Sequence, residues 1–340
     1  MSERPHDAIG RALTGDVLEI GPGHRPFPTA AGARVVFADK KVEGGRDAVW
    51  PELAGAPRGP EAQFQLDLDR QGLQPIASGS FDAVIASHVI EHAANPVRVL
   101  LEMDRVLRAD GRLVLVVPER SRTFDAPRPA TPAAHVLDEY ERGVSSVDDQ
   151  HVREFCEAIW AQPPIHPEPV REWHDPARLD AQRLELHRRR SIHAHCWTAE
   201  EFVALLAVLV ARGLARWRLE WQYLPEDLAG SIEFGLALSR TPEPGAQACA
   251  GLVRDWARGL AGVPGREAQR LVGLERAIAR DLAGAAGASV AALTERLAAV
   301  AAERDALRSE LRAILGSRSF RAARALAALR RRLRGFASRD

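Results

Sequence analysis

The 340-residue chain predicts an α/β fold, a mostly parallel sheet of seven strands with a closing antiparallel hairpin. Three observations predict it. Short apolar runs stop at a glycine, a serine or an acid, the pattern of strands buried on both faces. An amphipathic helical stretch separates two of these runs, as a parallel crossover requires. Two further apolar runs lie close together near residue 230, near enough to pair with each other.

The elements follow in order. Residues 16–20 (DVLEI) read as a buried strand that feeds the tight turn Gly21-Pro22-Gly23. Residues 34–38 form a second strand ending at Asp39, and residues 63–66 a weaker third ending at Asp67. Residues 81–86 form a fourth, ending at Ser87 and His88, and residues 111–118 a fifth. Between the last two, Val97, Val99, Leu100, Met103 and Val106 recur at helical spacing. Residues 119–196 are rich in Pro, His, Arg and Asp, and too long for a plain loop; they predict a partly helical insertion over the ligand edge of the sheet. Thr198 with Glu201 has capping-box spacing and starts a helix. Residues 215–224 and 231–239 supply the hairpin. This domain spans 1–241, followed by two helices in a linker region, 242–284.

The C-terminal arm is of another kind. Val290, Leu293, Leu297, Val300, Leu307, Leu311 and Ile314 keep a 3-4 spacing that predicts a coiled coil over 285–316, interrupted at Arg304. Residues 317–340 hold eight arginines against one acid, a basic amphipathic helix of net +7. The formal net charge is zero, so the rest of the chain is correspondingly acidic. The coiled coil predicts self-association, and the tail predicts contact with an anionic membrane surface. No aromatic stacking platform accompanies the basic residues, so nucleic acid is not an expected partner. The polar N-terminus and the lack of a long apolar run predict a cytoplasmic protein, held peripherally at the inner face of the membrane. Three widely spaced cysteines make no disulfide framework.

Strand ends of an open parallel sheet face the ligand crevice. Gly21 and Gly23 allow close backbone approach. Asp39 is an acceptor-only group suited to a ribose diol, and Asp67 suits an adenine amino group. Ser87 and His88 close the row. A dinucleotide site is the competing reading, but its third glycine is missing: His24, Arg25, Pro26 and Phe27 follow Gly23. His92, and His151 beside Asp148 and Asp149, are the candidate general bases. Seven of the eleven histidines fall in the insertion, as a polar acceptor pocket would require. His193, His195 and Cys196 offer metal ligands, but no spacing matches a closed zinc site and no metal is expected.

The runs LEIGPG (18–23), FADK (37–40), LDLD (66–69), FDAVIASHVIEH (81–92) and RVLRADGRLVLVVP (105–118) together resemble the class I S-adenosylmethionine (SAM) dependent methyltransferases. Within them, the chain is similar to a subgroup of bacterial surface-polysaccharide biosynthesis, through the start VLEIGPGHRPFP (17–28), TFDAPRPATP (123–132) and HAHCWT (193–198). The resemblance covers residues 12–240 and implies a Rossmann-like seven-stranded methyltransferase sheet. It implies that Glu19, Gly21 and Gly23 hold the methionine end of SAM, Asp39 the ribose, and Asp67 with Leu68 the adenine. It implies O-methylation of a sugar of a surface glycan or its precursor. A quinone-type small-molecule acceptor, or a weakly active scaffold of a glycan-assembly complex, are the alternatives. Residues 316–321 (GSRSFR) resemble the ends of glycan-assembly glycosyltransferases, which again points to a membrane assembly.

Overall fold

The computed structural model describes residues 5–40, 45–163, 170–260 and 266–283. In chain order the elements are α1 (Pro5–Gly10), β1 (Asp16–Ile20), β2 (Arg34–Asp39), α2 (Arg46–Val49), β3 (Phe64–Gln65), β4 (Phe81–Ser87), α3 (Pro96–Val106) and β5 (Leu107–Pro118). The insertion then contributes α4 (Ala133–Glu141), α5 (Asp149–Trp160), α6 (Val170–Trp173) and α7 (Ala181–Arg190). The chain returns through α8 (Ala199–Ala211), β6 (Trp217–Tyr223) and β7 (Glu233–Arg240), and continues in α9 (Gly245–Gly259) and α10 (Arg266–Ala283).

The seven strands form one sheet in the order β3-β2-β1-β4-β5-β7-β6. β7 pairs antiparallel with both β5 and β6, and every other pairing is parallel. The order turns between β1 and β4, and the ends of these strands frame the ligand crevice. Val17, Leu18, Val84, Ile85, Val114 and Leu115 are all fully buried, as the continuous apolar runs require.

The expected alternation of strands and helices holds fully only at β4-α3-β5. No helix joins β1 to β2; Pro26 and Pro28 remove backbone donors there and block a helix. Instead Phe27 turns into the core beside Ile9, Leu13 and Val17, filling the sheet face that a crossover helix would cover. Its amide donates to Glu19 Oε1 at 2.8 Å.

The predicted capping box is present: the Glu201 amide donates to Thr198 Oγ1, and the Thr198 amide to Glu201 Oε2 at 2.8 Å. α8 is apolar on nearly all sides because α9 and α10 both pack on it. Within the linker region, α9 and α10 are thus packed helices. α9 also packs on β6, with Trp256 fully buried, and residues 1–287 form one compact unit. The coiled coil expected at 285–316 and the basic helix at 317–340 lie outside the described residues. Among the described residues no helix is long and apolar enough to cross a membrane. Cys156, Cys196 and Cys249 are free and buried.

Candidate active site

A cleft of about 610 Å³ opens at the ends of β1, β2, β3 and β4. Gly21, Gly23, Asp39, Asp67, Leu68, His88 and His92 all line it. The turn after β1 is sharp: Gly21 and Gly23 have φ of +64° and +54°, values that only glycine adopts without strain. A Cβ added at Gly23 would meet nothing within 4 Å, so the backbone there is open to a ligand.

Glu19 does not line the cleft. It lies at the root of the turn, 2% exposed. Phe27 occupies Oε1, and Oε2 has no hydrogen-bond partner. Burial pushes its carboxyl up to about 7, against the lowering effect of the Phe27 amide. Asp39 Oδ1 accepts the amide of Lys40 at 2.7 Å. Asp67 Oδ1 accepts the amides of Asp69 and Arg70, and so shapes the turn that carries Leu68. Ser87 ends β4 but lines neither this cleft nor its neighbour.

The far wall of the cleft was not legible in the sequence. Trp50, Leu53, Pro57 and Gly59 form it, and Gly59 packs so tightly on the Gly23 carbonyl that a Cβ would overlap it. The end of α7 clasps this wall. Arg190 donates to Val49 O at 2.7 Å and pairs with Glu52 at 2.5 Å, while Lys40 Nζ donates to Ser191 Oγ at 3.1 Å.

A second cavity of about 480 Å³ lies beside the first, lined by Thr123, Phe124, Gln162, His193 and Ile232 among others. His88 lines both. It has φ of +54°, rare for a side chain of its size. His88 Nε2 lies 2.6 Å from Glu233 Oε2 on β7, and Nδ1 lies 3.7 Å from buried Glu91. Burial pushes the imidazole down, but the Glu233 hydrogen bond and the Glu91 charge outweigh it, so its pKa is raised overall. Glu233 also accepts the Tyr223 hydroxyl at 2.7 Å.

The two runs singled out by resemblance, 123–132 and 193–198, form one unit. Asp125 is 1% exposed and lies 2.7 Å from both His193 Nδ1 and Arg128 Nη1. Arg128 also donates to the carbonyls of His193 and Ala194 at 2.8 Å. Because Asp125 is an acceptor, His193 Nδ1 donates, and Nε2 is left as the accepting nitrogen. Phe124 lies against the same ring, centroids 4.7 Å apart.

The two candidate bases divide: His92 packs against His193, ring centroids 4.9 Å apart, whereas His151 lies apart from it. His92 lines the first cleft, not the second; its Nδ1 donates to Ile192 O at 2.9 Å, and burial pushes its pKa down. The expectation for His151 is corrected. It lines neither cavity, because α5 carries it into the insertion's own interior, among His135, Glu139 and His195. His193, passed over as a base, holds the geometry that His151 was expected to have.

Residues 52–115, which carry β3, β4 and β5, match the family described as a methyltransferase domain. A demethylmenaquinone methyltransferase of Beutenbergia cavernae is 36% identical over 115 residues, 32% of this chain. The chain spans about half, 47%, of the length of that curated relative. Among solved structures, a Rhodobacter sphaeroides protein described as a candidate zinc-dependent alcohol dehydrogenase is 20% identical, covering 71% of this chain and 91% of its own, with TM-score 0.40. The Burkholderia thailandensis 1,6-didemethyltoxoflavin N1-methyltransferase, bound to S-adenosylhomocysteine, is 14% identical over 70% of this chain and 77% of its own, with TM-score 0.35. A SAM-dependent methyltransferase from Methanosarcina mazei is 15% identical over 72% of this chain and 100% of its own, with TM-score 0.35. Overlaps this loose imply nothing about the reaction.

Proposed function

We propose that this chain is a SAM-dependent methyltransferase that methylates a hydroxyl held in the second cavity. The observation that carries the reading is the pair of adjoining cavities sharing His88: the first gathers the strand ends, and the second is lined mainly by the insertion. SAM would supply an electrophilic methyl group on a sulfonium sulfur.

The residues of the first cleft fit such a cofactor. The open face of Gly23 admits backbone contact, and at the root of the turn, behind the lining, the unpartnered oxygen of buried Glu19 suits an ammonium group. Asp39 accepts the two ribose hydroxyls. Leu68, with the turn that Asp67 shapes, receives the adenine. His88 holds the boundary between the cavities in a fixed orientation, with Glu233 and Glu91 favouring its charged form. His193, oriented by Asp125, accepts the hydrogen of the acceptor hydroxyl. His193 Nε2 would take up that proton when the hydroxyl receives the methyl group that SAM would supply. Alignment supplies most of the acceleration, as expected for an in-line displacement.

Within this reading the acceptor is a sugar of a surface glycan or its precursor. Phe124 offers a ring face, and Thr123, Gln162 and His193 offer polar partners. A quinol-type phenol is the second reading, favoured by the Beutenbergia relative. Methyl-labelled SAM with sugar nucleotides, lipid-linked saccharides and reduced quinones separates them. Transfer to a saccharide is expected, transfer to the quinol alone selects the second reading, and absence of SAM binding in calorimetry overturns both. The C-terminal arm, by its sequence pattern, would pair two copies and hold them near an anionic surface. Light scattering of the full chain as a monomer would overturn the pairing.

A further inference from the structure

We infer that the insertion contains a closed metal site made by His135, Glu139, His151 and His195, for a divalent cation of the zinc class. The inference stands apart from the proposed methyl transfer, since none of these residues lines either cavity. Fifty-six residues of chain separate Glu139 from His195, yet one ligand atom from each of the four lies within 4.8 Å of all the others.

The separations are those of a coordination sphere. His135 Nε2 lies 3.0 Å from His151 Nε2. Glu139 Oε1 lies 3.3 Å from His135 Nε2 and 3.5 Å from His151 Nε2. Glu139 Oε2 lies 3.0 Å from His195 Nε2. A tetrahedral zinc ion with bonds of about 2.0–2.1 Å places its ligands about 3.3 Å apart. His135 and Glu139 are one turn apart on α4 and so share a face.

The outward ring nitrogens support the same conclusion. His151 Nδ1 lies 2.8 Å from Asp148 Oδ1, and His195 Nδ1 lies 3.1 Å from Ala93 O. Both partners are acceptors, so both Nδ1 atoms carry hydrogen and both Nε2 atoms present lone pairs to the cluster. This is the support that metal-ligating histidines receive, a carboxylate or carbonyl on the second nitrogen. Without a cation, two imidazole lone pairs face a carboxylate that is 2% exposed, and His195 is fully buried. One divalent ion satisfies all four groups together.

Three imidazoles and one carboxylate suit zinc and its first-row neighbours, not magnesium or calcium. All four positions come from the protein, so the site is structural. It would tie α4, α5 and the segment at His195 to the chain following β4, where the His195 amide also donates to Glu91 O at 3.0 Å. The sequence predicted no metal because ligands at 135, 139, 151 and 195 match no compact spacing.

The test uses the full chain without a histidine tag, equilibrated with zinc and then desalted. About one zinc per chain is expected. Stripping it with a chelator should lower the unfolding temperature, zinc should restore it, and cobalt(II) should give the visible absorption of a tetrahedral site. Glu139→Gln should weaken zinc at least tenfold. His135→Gln, at the half-exposed ligand, should do so in a protein that keeps its circular dichroism. A folded wild-type chain that retains no zinc, or a His135→Gln chain that retains it unchanged, overturns the site.

Discussion

The cofactor cleft and the insertion are built on opposite plans. In the cleft, polar groups come from the ends of successive parallel strands, and several are left open to a ligand. Gly23 has empty space above it, and behind the turn one oxygen of buried Glu19 has no partner. In the insertion, polar groups satisfy one another: Asp125 with His193 and Arg128, and Asp148 with His151. The sheet offers a general cofactor seat, whereas the insertion is specialised by internal contacts. A shared fold with a grafted acceptor region gives this division.

The division predicts separable defects. The largest effect is expected on the acceptor side. His193→Ala should lower turnover by about 10²-fold or more, the usual range for loss of a general base, and leave SAM affinity unchanged in calorimetry. A parallel loss of SAM affinity would break the comparison, because the insertion would then be part of the cofactor seat. A smaller and opposite effect is expected from Asp39→Ala. Loss of charge-assisted hydrogen bonds, about 1.5–3 kcal/mol, should raise the SAM dissociation constant by about 10- to 100-fold. Turnover at saturating SAM should stay within a few-fold of the wild type.

The same contrast explains what the sequence disclosed. Strand-end residues were legible because a short apolar run fixes both the strand and the crevice-facing position after it; Gly21, Gly23, Asp39, Asp67 and His88 were all found this way. Ser87 shows the limit of that rule, since its neighbour took the lining position. The absence of a β1–β2 helix is legible in Pro26 and Pro28. The wall from Trp50 to Gly59 carries no periodicity, and only its contact with Gly23 reveals its role. In the insertion, local sequence failed as a guide. His151 has an acid three residues before it, as a base would, yet α5 turns it away from both cavities. His193 has its acid 68 residues away, and nothing short of the folded chain brings them together.

Glu19 sharpens the comparison, because it lies at the root of the cleft's first turn yet is buried like the insertion's polar groups. Its carboxyl is raised from 4.5 to about 7 by burial. Between those values the unfolded chain has released this proton while the folded chain retains it. Stability therefore declines as pH rises through that window and levels off above it, by up to about 3 kcal/mol. Glu19→Gln should remove this decline, so thermal unfolding from pH 5 to 8.5 should show a flatter profile for the variant. Saturating SAM should flatten the wild-type profile as well, since an ammonium beside the carboxylate favours its ionised form. A wild-type slope that persists unchanged with SAM bound would place the cofactor's amino group away from Glu19. The carboxyl would then serve the Phe27 loop alone, closing the turn in the self-satisfied manner of the insertion.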